Sequence, residues 1–149
     1  MPTGDPMDYS KIRSWVDEWG GGVDYLDYLK FHGDLALVIA LSRLFWPSFV
    51  EVEGCVLWDR GFEEQNFSQW YAHFSGDTTR VEEMLNQFRV WQLVESDDVE
   101  EDREALDAVA SRISSSWKAA LAAKFPDRDF DIRVIRSEDG PVVTFSSRV

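Results

Sequence analysis

Apolar residues recur along this chain in two rhythms, one helical and one alternating, and the switches between them mark its elements. Ile12, Trp15, Val16 and Trp19 fall at i, i+3, i+4 and i+7, which puts one apolar stripe on a helix beginning near Asp8. Gly20-Gly21-Gly22 stops it. Asp24 is placed to cap a second helix whose apolar positions run from Tyr25 through residues 35–41 to Leu44-Phe45-Trp46, just before Pro47. The second half of that helix is apolar on nearly every side, so the pattern predicts one central buried helix, with Gly33 as the point where it kinks or splits.

Beyond Pro47 the rhythm becomes alternating. Val50 and Val52 oppose Glu51 and Glu53, then Gly54 leads into Cys55-Val56-Leu57-Trp58, which reads as a hairpin closed by Asp59-Arg60-Gly61. Helical spacing returns with Phe67, Trp70, Tyr71 and Phe74 and stops at Ser75-Gly76. Asp77 is placed to cap a further helix with Val81, Met84, Leu85, Phe88 and Trp91 on its inner face. Residues 95–104, ESDDVEEDRE, hold too much like charge to pack and read as a solvated loop leading into the next helix, whose N-terminus the carboxylates favour. That helix carries Leu106, Val109, Ile113, Trp117, Ala120 and Leu121 on one side and ends at Pro126. Phe130, Ile132 and Val134 then alternate with Asp131 and Arg133, and Glu138-Asp139-Gly140-Pro141 turns the chain into residues 142–145, a second hairpin. The expected fold is therefore α+β: a small antiparallel sheet of about four strands in two hairpins, packed against about five helices. Residues 1–149 read as a single globular domain, with 1–7 a disordered lead-in.

Charge narrows the partners. With 28 acidic against 15 basic residues the formal charge is -13, which repels nucleic acid and anionic membranes and suits a basic protein. The same surplus also serves to keep an aromatic-rich protein in solution. A single cysteine, Cys55, allows no internal disulfide, and the N-terminus lacks a basic segment followed by an apolar one, so a cytosolic location is expected. The longest apolar run, residues 35–41, is too short to span a bilayer.

Catalytic and metal signatures are weak. Asp127, Asp129, Asp131 and Glu138 occupy four positions of a calcium loop, but Ile132 stands where such a loop needs glycine, and strand alternation explains the same residues. His32 and His73 are the two histidines, and neither belongs to a metal-binding cluster; His32 with Asp34, or His73 with Asp77, supplies at most two ligands. Ser114-Ser115-Ser116 lies within a helical pattern without a nucleophile elbow, and Gly20-Gly21-Gly22 lacks phosphate-loop spacing. Cys55 reads as a small buried hydrophobe. No cofactor or metal is expected.

Seven tryptophans and the acidic block remain. Trp15, Trp19, Trp46 and Trp117 fall on apolar stripes and are expected in the core, whereas Trp58, Trp70 and Trp91 lie nearer element ends. Together with Asp97, Asp98, Glu100, Glu101 and Asp102, these last three form the expected partner-binding set, since aromatic anchors ringed by charge typify binding hot spots. The expectation is a non-enzymatic protein-binding module of the immunity, inhibitor or adaptor type, directed at a basic protein. Two alternatives stand beside it: a pocket enzyme or small-molecule binder using His32, Asp34 and Cys55, and a structural subunit of a larger assembly.

Overall fold

Aspartate side chains cap several of the helix starts in the computed structural model, which describes residues 4–148. Within the stretch expected as a lead-in, Asp5 accepts from the Met7 N–H at the head of a 3-10 turn, Pro6–Asp8; residues 1–3 lie outside the described residues. Helix α1, Ser10–Glu18, follows and ends before the three glycines. Asp24 accepts from Leu26 N–H while Asp27 reaches back to the Asp24 N–H, a reciprocal capping box that starts α2, Tyr25–His32. The Gly33 N–H closes α2 on the Leu29 carbonyl at 2.8 Å. Asp34 then caps α3, Leu35–Phe45, so the expected long helix is two helices with a break at Gly33.

Strands β1, Phe49–Val52, and β2, Cys55–Trp58, form an antiparallel hairpin with Val50 opposite Leu57. Because β2 is covered on both faces, Cys55 and Leu57 enter one core cluster and Val56 and Trp58 another, which is why this strand is apolar at every position. Helix α4, Glu64–His73, and α5, Thr78–Leu85, cover the Cys55 side. Helix α5 is shorter than its apolar spacing predicts: Phe88–Arg89 is strand β3, and a 3-10 turn, Val90–Gln92, follows. Backbone pairing of Phe88 and Arg89 with Val143 and Val142 competes successfully with another helical turn. Helix α6, Glu100–Lys124, leads to the terminal hairpin of β4, Phe130–Ser137, and β5, Gly140–Ser147. Among the described residues the result is α+β with six helices and two small antiparallel sheets, β1-β2 and β3-β5-β4, five strands where about four were expected.

Helix α5 joins the two sheets through a buried polar pair. The Glu82 carboxylate accepts from the Val56 N–H at 2.8 Å, the Ser147 N–H at 3.0 Å and the Ser147 hydroxyl at 2.8 Å. One turn later, Asn86 accepts from the Trp58 N–H and donates to the Val56 and Phe145 carbonyls. The two side chains thus occupy the space between the edges of β2 and β5 and satisfy backbone groups that neither sheet pairs. Arg128 completes the chain of charge by donating to the Ser147 hydroxyl at 2.9 Å.

The main core centres on Trp117, fully buried among Val56, Ile113, Leu121, Val143 and Phe145, with Trp58 at 4.9 Å between ring centroids. Helix α6 and the strands close this core without α2 or most of α3. The expectation of a central buried helix is therefore overturned: none of α1, α2 and α3 contains a buried residue, and Leu35 is 75% exposed. Trp19 and Trp46, expected inside, are 52% and 54% exposed, and Trp15 is half-buried against Tyr28 and Phe31. All-round apolarity records a need for cover without saying what supplies it. These three helices form an arm anchored to α6 at two points: near its start by Tyr9 and Ser10, and at its middle by the Leu44 and Phe45 carbonyls, which accept from the Trp117 indole and the Ser116 hydroxyl. Among the described residues no helix is long and apolar enough to cross a membrane.

Candidate functional site

The first turn of α6 is unusually acidic, with Glu100, Glu101 and Asp102 in succession, and a helix N-terminus is where such charges are best tolerated. Two of the three are spent locally. Asp102 accepts from the Tyr9 hydroxyl and from the Asp97 N–H, each at 2.7 Å. Glu101 accepts from the Ser10 hydroxyl at 2.6 Å and from the Ser10 N–H at 3.2 Å. Donation to Asp102, helped by burial and the neighbouring carboxylates, pushes the Tyr9 phenol up to about 12, and the same bond holds the Asp102 carboxyl below its ordinary value.

Beside this turn lies a groove of about 1220 Å³, walled by residues 91–98, the early turns of α6 and the turn between β4 and β5. Seven acidic residues line it (Glu95, Asp97, Asp98, Asp102, Asp107, Glu138 and Asp139) against three basic ones, Lys11, Arg103 and Arg136. Arg103 is held by Asp98 at 2.6 Å and Arg136 is paired with Asp107, so most of the basic charge is neutralised within the wall. Trp91, Leu93, Val94, Leu106 and Pro141 supply apolar surface. The Trp91 ring lies against Gly140, whose φ of 139° and lack of a side chain let the turn approach. Its indole nitrogen is buried and makes no hydrogen bond to the described residues.

The structure brings four of the eight expected partner-binding residues, Asp97, Asp98, Asp102 and Trp91, into this one groove. Glu100 and Glu101 stand next to it at the helix start. Trp58 and Trp70 are elsewhere: Trp58 packs on Phe88 and Trp117 at the main core, and Trp70 stacks on Phe74 over the second cluster. The groove's far wall, Glu138 and Asp139, carried no partner signal in sequence beyond its turn chemistry, because hairpin geometry alone brings it to residues 95–98.

The residues considered for a pocket enzyme are scattered. The His32 ring stacks on Tyr28 with centroids 4.0 Å apart, and Asp34 is occupied as a helix cap, both on the exposed arm. Cys55 is fully buried in the cluster of Leu57, Phe67, Val81 and Leu85, where burial and then the Glu82 charge push its thiol up to about 11. Residues of the calcium-like pattern are spread from before strand β4 to the turn after it, with Asp129 and Asp131 facing Arg148 at 3.5 and 3.8 Å and Glu138 in the β4–β5 turn. Among the described residues no three His, Cys, Asp or Glu side chains gather where they could hold a metal ion.

No family model, curated protein or solved structure matches the chain.

Proposed function

We propose that this protein is a non-catalytic recognition module that binds a basic protein through the acidic groove beside α6, in the manner of an inhibitor, immunity protein or adaptor. The observation that carries the proposal is the composition of that groove, seven carboxylates against three basic residues with Trp91 and Leu93 in the same wall. A negative field focused in a concave wall speeds the approach of a cationic partner, and apolar anchors then slow its departure. The -13 charge of the chain adds long-range attraction of the same sign and keeps polyphosphates away.

The test is affinity capture at low and at raised salt, with the protein and with an Asp97→Asn, Asp98→Asn, Glu138→Gln variant as paired baits. A specific basic protein should be retained by the first, lost as salt rises, and retained at least about tenfold less by the second, since each charge contributes on the order of 0.5 kcal/mol at a rim and more inside a groove. Equal capture by both baits, or no protein above background on either, would reject the groove. A second reading, a subunit of a larger assembly, draws on a different observation, the uncovered apolar face of the arm.

A further inference from the structure

We infer that the exposed face of α2 and α3 is the contact surface of a homodimer, occupied by a second copy of this chain. Leu26, Phe31, Leu35 and Ile39 are 57%, 60%, 75% and 60% exposed, and they lie on adjacent helices instead of being scattered singly. Exposed apolar surface concentrated in one stretch of the chain in this way marks an interaction site. The face is held in place, because Trp15 of α1 packs on Tyr28 and Phe31 of α2, and the end of α3 is hydrogen-bonded to α6. Counted over all sides of α2, α3 and Trp46, exposed apolar side chains present roughly 1,000 Å², so most of that surface has to be covered to reach the about 800 Å² that each partner contributes to a stable interface.

Charge selects the occupant. Between residues 25 and 46 the acids Asp27 and Asp34 are balanced by Lys30 and Arg43, so this stretch is neutral while the chain carries -13. A basic protein finds no complementary charge here, and an anionic bilayer is repelled by the rest of the molecule. A second copy meets a neutral, apolar surface like its own and leaves both acidic bodies outside the contact, as an isologous two-fold interface permits. The inference stands apart from the groove reading, and salt separates the two. Screening weakens capture of a basic partner, whereas it relieves repulsion between two acidic copies and strengthens their association.

Sedimentation velocity on the intact chain across a wide concentration range decides it. The expected result is a species of twice 17.2 kDa that grows with added salt. The Leu35→Glu, Ile39→Glu variant should return to 17.2 kDa, with dimerisation weakened at least about a hundredfold and an unchanged circular dichroism spectrum, since neither side chain is buried. If that variant loses helix, Leu35→Gln, Ile39→Gln repeats the measurement without new charge. A 17.2 kDa wild-type species at every concentration, a dimer that persists in the variants, or a dimer that salt dissociates would each overturn the inference. So would a monomer that co-sediments with phosphatidylcholine vesicles, which would assign the face to a bilayer.

Discussion

Glu82 shows how a charged residue becomes part of a core. Fully buried, it satisfies three donors from two different sheets, and its replacement leaves the buried Val56 N–H and the half-buried Ser147 donors without that acceptor. Glu82→Ala is expected to destabilise the fold by about 3 kcal/mol, read as a shift of the urea midpoint at constant slope, while Ser147→Ala, which spares the backbone bond, costs about 1 kcal/mol. The Tyr9–Asp102 bond is instead a pH-sensitive fastening. The raised phenol contributes stability that is complete below its ordinary value of 10.0 and is lost as pH rises through about 12. The lowered carboxyl contributes stability present above its ordinary value of 3.8 and lost as pH falls through the lower folded value. Tyr9→Phe should therefore remove part of the alkaline loss of stability between pH 10 and about 12, measured as the difference in urea midpoints of the two proteins across that window. Neither Glu82 nor Tyr9 was legible as such in the sequence. Glu82 adjoins Val81 in a helix that buries two neighbouring stripes, Val81 with Leu85 and Glu82 with Asn86, and a one-stripe pattern leaves the second outside.

Among elements, those governed by local chemistry were readable. Asp24 and Asp77 cap helices where the sequence places them, the glycine triplet ends α1, Pro126 follows the end of α6, and both hairpins form at the expected turns. Elements decided by partners distant in sequence were not. The stretch from Phe88 to Trp91 keeps a helical apolar period, yet two of its residues pair with β5 and the tryptophan is laid on the β4–β5 turn. That turn is a sensitive joint of the groove. A methyl at Gly140 would stand 2.7 Å from the Trp91 Cβ on a backbone with φ of 139°. Gly140→Ala is expected to lower stability by about 2 kcal/mol, or several degrees in Tm by calorimetry, and to weaken partner capture because the groove wall moves with the ring.

Over the whole molecule, charge and apolarity are segregated. The acidic surplus lies outside residues 25–46, which are neutral, and part of it gathers around the groove; the largest uncovered apolar side chains lie on the arm. Composition announced both ingredients, and part of the acidic block falls with Trp91 in the groove wall. The location of the apolar surplus was hidden, because a helix apolar on all sides reads identically whether its cover comes from its own chain or from another molecule. The arm also sets some of the seven tryptophans apart spectroscopically. Trp19 and Trp46 are open to water and Trp15 lies at the arm's aromatic cluster, whereas Trp117 is sealed and Trp58 leans on it. Acrylamide or iodide quenches the first group selectively, so the unmodified protein carries its own emission reporter for any event on the arm, read separately from unfolding of the interior.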